Sequence, residues 1–213
     1  MKLNRFETVS GTYIEKISGQ SRIGYSLSDS MDFYDIIEHS KKGDYHGSVI
    51  SFGKVYEPFS KQRNVSYGHP IYSNHCFWFL QGNYNQGIYT LYRYLPGEIP
   101  QMITQINAAD VNPYNLRIIG EEVHITSEDD DFVCYYPEHF SFIKASNESV
   151  MLIANGKVYL SAWIEEGWDD ENDCASEEYK YYQKVIVRDF NGNILSEELG
   201  SLNQCEDGSW WIS

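Results

Sequence analysis

The hydrophobic and polar positions along this chain predict short β-strands separated by polar turns. The clearest case is a pair of apolar runs at residues 150–154 and 158–164, which flank the dipeptide Asn155-Gly156. An Asn-Gly dipeptide between two such runs is typical of a two-residue β-hairpin turn. No segment keeps a helical period for more than about ten residues. Residues 32–42 come closest, and their aromatic and β-branched side chains favour a strand.

A pair made of a bulky apolar residue followed by an aromatic residue or histidine recurs after polar turns. The five pairs are Phe33-Tyr34, Phe77-Trp78, Val123-His124, Val158-Tyr159 and Trp210-Trp211. Their successive spacings are 44, 46, 35 and 52 residues, and a four-stranded propeller blade needs about 40 to 45. The repeat predicts an all-β fold, a small five-bladed β-propeller that occupies residues 1–213 as a single domain. A β-sandwich with hairpins of unequal length is the competing fold.

The two ends of the chain each supply half of a blade. The fifth repeat stops at Ser213 after two strands, and residues 6–10 and 12–17 form a further strand pair that belongs to no other repeat. We therefore expect the N- and C-terminal strands to share one blade. Such sharing closes the ring and leaves no long unpaired sheet edge.

The net charge restricts the classes of partner. The chain carries 31 acidic residues against 16 basic ones, a formal charge of −15. Nucleic acids and anionic membranes both attract basic surfaces, so neither is an expected partner. No run of about 18 apolar residues is present, so no membrane-spanning helix is predicted.

The cysteines favour a cytoplasmic protein with free thiols. Cys76, Cys134, Cys174 and Cys205 lie far apart and show no CxxC spacing. The first ten residues have no apolar run of the kind that a secretory signal needs. We interpret the four cysteines as unpaired thiols in a reducing compartment.

Two segments hold much of the negative charge. Residues 127–131 carry four acids and residues 165–178 carry eight, and neither segment contains Lys or Arg. In a propeller, each would connect the second and third strands of a blade, and the two blades would be consecutive. The fold prediction therefore places the two segments side by side on one face.

This acidic face is the predicted binding surface for a basic protein partner, in the manner of an inhibitor or immunity protein. Clustered charge raises the rate and the selectivity of association, and an exposed tryptophan is a common interface anchor. A solvated loop that only maintains solubility is the competing interpretation. The predicted binding residues are Glu128, Asp129, Asp130, Asp131, Glu165, Glu166, Trp168, Asp169, Asp170, Glu171, Asp173 and, from a separate uncharged loop, Tyr84.

The longer acidic segment also contains an incomplete calcium pattern. Asp169, Glu171 and Asp173 alternate as the oxygen ligands of calcium loops do. However, Cys174 stands where such loops have their sharp-turn glycine, and no glutamate follows at the expected distance. Calcium is the one cofactor that the sequence suggests.

The alternative function is a carbohydrate-binding or glycan-cleaving propeller. Tyr84 lies among Asn and Gln side chains in residues 81–87, and aromatic platforms flanked by amides are used to stack sugar rings. Packing between blades is the competing explanation for this tyrosine. No nucleophile elbow, zinc-protease, phosphate-loop or dinucleotide motif is present. Runs of consecutive acids are solvated, so they differ from the tuned carboxylate pairs of glycosidases, and no enzymatic activity is predicted.

Overall fold

A computed structural model describes residues 14–29, 31–53, 56–169 and 172–213 of the chain. Within these ranges the fold is all-β and consists of several antiparallel sheets, with one α-helix and one short 3₁₀ helix at Ala108–Asp110. None of the described helices is long and apolar enough to cross a membrane.

The first sheet has two strands with a helix inserted between them. These elements are β1 (Tyr25–Leu27), α1 (Phe33–Lys42) and β2 (Ile50–Phe52), and β1 pairs antiparallel with β2. The helix begins at Asp32, whose carboxylate accepts a hydrogen bond from the Asp35 N–H at 2.9 Å. It ends at Gly43, which has a left-handed backbone with φ 76°.

The strand predicted over residues 32–42 is therefore wrong, and the first repeat pair, Phe33-Tyr34, opens a helix. An N-cap carboxylate and a left-handed glycine fix the two ends of α1. Phe33 and Ile36, one helical turn apart, are both buried. Burial of this one face outweighs the strand preference of the individual side chains.

Three larger sheets follow in chain order. The second sheet comprises β3 (Val65–Tyr67), β4 (Ile71–Ser73), β5 (Cys76–Asn83), β6 (Ile88–Tyr94) and β7 (Gln101–Asn107). The third comprises β8 (Arg117–Ile119), β9 (His124–Glu128), β10 (Asp131–Tyr136) and β11 (Phe140–Ile143). The fourth comprises β12 (Glu148–Ala154), β13 (Lys157–Asp169), β14 (Cys174–Arg188) and β15 (Ile194–Leu199). A final hairpin pairs β16 (Leu202–Gln204) with β17 (Trp210–Ile212).

The third and fourth sheets are four-stranded meanders in which each strand pairs with the next along the chain. In the second sheet, β3 and β4 both pair with β5, and β6 and β7 follow. The predicted hairpin at Asn155-Gly156 joins β12 to β13, and both turn residues have positive φ, 53° and 69°. Positive φ at both central positions is what a type I′ turn requires.

Apolar clusters connect successive sheets. One contains Phe52 of β2 with Phe77 and Phe79 of β5. The others join α1 and the second sheet to the third, the third sheet to the fourth, and the fourth sheet to the final hairpin. Burying these faces between sheets provides the main stabilisation of the fold.

The first described residues contact the final hairpin. The Gly19 N–H donates to the Glu206 carbonyl at 3.0 Å, and Lys16 Nζ lies 2.5 Å from Glu206 Oε1. Of the strand pair predicted at residues 6–10 and 12–17, only residues 14–17 are described, and they form a single isolated bridge, between Glu15 and Tyr25, in place of the predicted strand. Closure of the sheets into a propeller therefore stays a prediction.

Candidate functional site

Strands β13 and β14 continue well beyond the sheet to which they belong. β12 pairs with β13 only as far as Ala162, and β15 pairs with β14 only as far as Lys184. Residues 163–169 and 174–183 therefore form a two-stranded projection, which we call the acidic ribbon. Of the predicted loop at residues 165–178, residues 165–169 and 174–178 are thus strand.

A change of register divides the ribbon into a base and a tip. Glu166 pairs with Lys180, whereas Trp168 pairs with Ala175, so four residues of β14 oppose a single residue of β13. That single residue is Gly167, with φ 76°. A Cβ atom placed on it would lie 3.0 Å from the backbone of Glu178. Glycine is therefore required where the two backbones approach each other.

Tyrosine hydroxyls hold the two glutamates at the base of the ribbon. Tyr179 donates to Glu165 Oε1 at 2.6 Å, and Tyr182 donates to Glu166 Oε1 at 2.7 Å. These hydrogen bonds raise the pKa of both tyrosines, because a phenolate would lose the bond to its carboxylate. Each of the two carboxylates is therefore held in position by a tyrosine donor.

Aromatic side chains cover much of the remaining ribbon surface. Trp163 meets Tyr181 edge to face with ring centroids 5.6 Å apart, and Trp168 meets Tyr179 in the same way at 6.1 Å. Trp163, Trp168 and Tyr181 are 47%, 43% and 54% exposed. The predicted anchor Trp168 is therefore accessible and partly supported by a neighbouring ring.

The incomplete calcium pattern gains no support at the tip. Asp169 accepts hydrogen bonds from the backbone N–H and the side-chain amide of Asn172 at 3.2 and 2.8 Å. Asp173 occupies the left-handed region with φ 51°. Asp170 and Glu171, two further predicted residues, lie outside the described residues. In the part of the chain that is described, no group of three or more His, Cys, Asp or Glu residues is placed to hold a metal ion.

Glu128, one of the predicted binding residues of the shorter segment, is instead buried in β9. Its Oε2 accepts from Arg117 at 3.1 Å, and its Oε1 accepts from the Val150 N–H at 3.1 Å. Lys144 Nζ lies 3.6 Å from the same Oε1. This carboxylate therefore links the third and fourth sheets and is not available to a partner. This buried role could not be predicted from the sequence, because Glu128 directly precedes three exposed acids.

The other three acids of the shorter segment are exposed. Asp129 and Asp130 form the turn between β9 and β10, and Asp131 begins β10. Asp129 accepts a hydrogen bond from the Asn112 side chain at 3.3 Å, so one of the three has a fixed neighbour.

The shorter segment and the acidic ribbon lie at the same end of neighbouring sheets. Asp131 pairs with Ile143 at the end of β11, and Glu148 at the start of β12 pairs with Ala162 at the base of the ribbon. The connection at residues 144–147 therefore separates the two acidic regions.

Tyr84 does not form the predicted sugar-stacking platform. Its hydroxyl lies 3.1 Å from Ser66 Oγ and 3.4 Å from the Phe33 carbonyl, and its ring meets Tyr89 edge to face. Burial raises the pKa of this phenol. Tyr84 packs under α1, which agrees with the packing interpretation of this residue.

A cleft of about 760 Å³ was not foreseen from the sequence. Its walls come from Tyr25 and from five further parts of the chain, residues 16–19, 70–75, 118–121, 151–152, and 204 with 207–210. At its side, the Tyr25 hydroxyl lies 2.5 Å from Glu15 Oε2 and 2.6 Å from His69 Nδ1. Burial raises the pKa of Tyr25, so this phenol stays protonated and connects its two neighbours. The turns that line the cleft are far apart in sequence and share no motif, so the sequence did not predict it.

Comparisons with models of protein families, with curated proteins and with solved structures return no significant match. The function of this chain must therefore be inferred from its own geometry, in which the acidic ribbon and the cleft are the two candidate sites.

Proposed function

We propose that this chain is a non-catalytic binding protein that holds or neutralises a basic protein partner, as an inhibitor or immunity protein does. The single observation that carries the proposal is the acidic ribbon, a projection that exposes acids and aromatic rings together. Two strands alone bury little surface and are only marginally stable in water. A ribbon of this length therefore gains from a partner that covers it.

The charge of the ribbon favours a cationic partner. Its described residues include five acids, Glu165, Glu166, Asp169, Glu177 and Glu178, against one base, Lys180. Like charges held close together repel one another, and a basic surface would relieve that repulsion. Asp129, Asp130 and Asp131 at the same end of the neighbouring sheet would extend the attractive field. Trp163, Trp168 and Tyr181 supply the large apolar surface that interface hot spots use.

The proposed architecture is a five-bladed propeller whose blades are the successive sheets. The meander order of the third and fourth sheets supports it, as do the apolar clusters between neighbouring sheets and the contact between Gly19 and Glu206. Removal of residues 204–213 should then abolish cooperative unfolding of the whole chain. Loss of only the local hairpin would contradict a closed ring.

A cytoplasmic location is proposed from the cysteines. All four are unpaired, and Cys174 and Cys205 are exposed. Exposed free thiols persist where the environment is reducing.

Binding to a cationic probe tests the proposed function. The variant carries Glu165→Gln, Glu166→Gln, Glu177→Gln and Glu178→Gln, which removes four charges and keeps the side-chain acceptors. We expect its association rate with a decalysine peptide, measured at low ionic strength, to fall at least tenfold.

The control neutralises four exposed acids elsewhere, Glu57→Gln, Glu98→Gln, Glu122→Gln and Glu138→Gln. Its association rate should stay within about twofold of the unmodified protein. Equal losses in the two variants would show that net charge alone attracts the peptide, and the ribbon would have no special role.

The cleft supports a second candidate, carbohydrate binding. Tyr72 and Trp210 line it together with the polar side chains of Asn74 and Ser209, and aromatic rings beside amides and hydroxyls suit the two faces of a sugar. Titration with neutral oligosaccharides should quench tryptophan fluorescence in the unmodified protein and in Trp211→Ala, but not in Trp210→Ala. A response that both variants retain would argue against the cleft.

A further inference from the structure

One edge of the acidic ribbon is open along β14. β15 follows β14 as far as the pair Lys184 and Leu199. The chain then leaves the sheet at Gly200, where φ is 135°, and enters β16. β14 itself continues for ten residues toward the tip, so its edge beyond Gln183 lies where a strand collinear with β15 would fit.

The backbone groups on this edge have a definite direction. The Gly200 N–H donates to the Gln183 carbonyl at 3.0 Å, so the peptide groups of Gln183 face the β15 side. Residues two apart in a strand face the same way. The N–H and C=O of Tyr181 therefore point outward on that side, and neither has a hydrogen-bond partner among the described residues.

The opposite edge of the ribbon is partly closed at its base. On β13 the Trp163 N–H donates to the Asn147 carbonyl at 3.0 Å, and the Asn147 side chain donates to the Trp163 carbonyl at 2.7 Å. Asn147 thus occupies the position that an added strand would need. At this pair both edges are occupied, by Asn147 beside Trp163 and by Gly200 beside Gln183. The β14 edge differs from the β13 edge in having a groove beside it.

A groove of about 670 Å³ runs along the free edge. Tyr181, Gln183, Leu199 and Gly200 are among its lining residues. Tyr181 and Leu199 are 54% and 71% exposed, so apolar side chains lie beside the unpaired peptide groups. An unpaired backbone next to apolar pockets is the arrangement by which a sheet accepts an extended peptide.

The charges around the groove identify the occupant. Glu166, Glu177 and Glu178 lie on the ribbon, and Glu197 and Glu198 are exposed on β15. Lys180 and Lys184 are the nearby bases, and Lys184 lies 3.4 Å from Glu197. The surroundings therefore carry an excess of negative charge, which attracts basic side chains and repels acidic ones.

We infer that the β14 edge at Tyr181 accepts an extended, lysine- or arginine-rich strand of the basic partner, which adds to the fourth sheet in line with β15. This inference rests on the proposed function and specifies how the partner is held. Backbone hydrogen bonds to Tyr181 supply part of the affinity, and the acids select the sign of the charge.

The first test uses the unmodified protein and a ten-residue peptide of alternating lysine and valine. Amide hydrogen exchange measured by NMR should slow at least tenfold at Tyr181 on saturation with this peptide. Exchange at Glu165, whose N–H faces the opposite edge, should change less than twofold. A peptide with glutamate in place of lysine should have no effect. Equal protection at both residues, or none at Tyr181, would overturn the inference.

The second test compares two substitutions at one position. Tyr181→Val removes the ring and keeps the N–H, whereas Tyr181→Pro removes both, and proline is tolerated where an edge N–H faces outward. We expect the proline variant to bind the lysine-valine peptide at least tenfold more weakly than the valine variant.

The two tests separate this inference from the proposed function. If the peptide binds both Tyr181 variants equally and the fourfold glutamine variant of the ribbon binds poorly, the acidic surface stands and strand addition fails. If the peptide does not bind even the unmodified protein, the proposed function fails as well. Should the proline variant not fold, the exchange measurement on the unmodified protein decides.

Discussion

Arg188 in β14 donates to both carboxylate oxygens of Glu148 in β12, at 2.7 and 2.8 Å. The two side chains are only 12% and 6% exposed. Glu148 also accepts from the Ala145 N–H at 3.0 Å, and Arg188 donates to the Ile143 carbonyl at 3.3 Å. The pair therefore fixes the connection between β11 and β12, which separates the two acidic regions.

Removing the charge of Glu148 from this buried pair should destabilise the protein strongly. Glu148→Gln leaves the Arg188 charge buried without its counterion, and we expect a loss of about 3 kcal/mol in the free energy of unfolding. Urea denaturation at pH 7 measures the change. Glu197→Gln, which removes the half-exposed partner of Lys184, should cost less than about 1 kcal/mol. Similar costs for the two substitutions would contradict the role assigned to Glu148.

Replacing Gly167 should loosen the ribbon and spare the rest of the fold. In Gly167→Ala the new methyl group meets the Glu178 backbone at 3.0 Å in a left-handed conformation. We expect amide exchange at Lys180 and Tyr182, whose N–H groups face β13, to quicken at least tenfold, with less than about 1 kcal/mol lost in global stability.

Gly156→Ala is the matched control for this substitution. Gly156 also has positive φ, 69°, but open space surrounds its Cβ position. The control should show a global loss of about 1 kcal/mol from backbone strain and unchanged exchange in the ribbon. Faster ribbon exchange in both variants would argue against the close approach at Gly167.

Acidification should weaken the fold through His124. Burial lowers the pKa of this imidazole below its ordinary value of 6.5, so the unfolded chain binds the proton first as pH falls. The contribution of neutral His124 to stability is therefore complete above pH 6.5 and is lost progressively below it. His124→Gln should flatten the dependence of unfolding free energy on pH between 7.5 and 5.5. Equal slopes in the unmodified protein and in His124→Gln would exclude His124 as the cause.

Thiol reactivity should divide the four cysteines into two classes. Cys76 and Cys134 are buried and Cys174 and Cys205 are exposed, and burial raises the pKa of the Cys134 thiol to about 12. A disulfide reagent at pH 8 should therefore titrate two thiols rapidly in the native protein and four after unfolding. The double variant Cys174→Ser and Cys205→Ser should show no rapid reaction. Rapid modification of a third native thiol would show that a core sheet opens.

The local turn chemistry was predictable from sequence, whereas helix α1 was not. Asn155-Gly156 specifies a tight hairpin almost independently of its surroundings, because few residues tolerate two consecutive positive φ angles. The helix depends on Asp32 and Gly43 at its ends and on a buried site for Phe33. The last of these is a tertiary interaction that residues 32–42 do not reveal by themselves.

The concentration of acids at residues 165–178 was evident from the sequence, but the strand structure of this segment was not. Acid content predicted a loop at residues 165–178, yet residues 165–169 and 174–178 are strand, and Tyr179 and Tyr182 donate to Glu165 and Glu166 across the ribbon. For Glu128 the prediction was wrong in another way, because a residue predicted to be accessible to a partner is buried. Its hydrogen-bond donors, Arg117 and Val150, lie on other strands, so no local sequence pattern could distinguish Glu128 from Asp129.

The connection at residues 144–147 has charged anchors on both of its sides. Lys144 lies near Glu128, and Glu148 is bound by Arg188, while Ala145 and Ser146 between them are exposed. A protease that cuts after Ser146 would thus sever the polypeptide without releasing either fragment. The ion pairs of Glu128 and Glu148 and the apolar cluster between the third and fourth sheets would still hold the two fragments together. The cleaved molecule would keep its size in gel filtration and separate into two fragments only in denaturant.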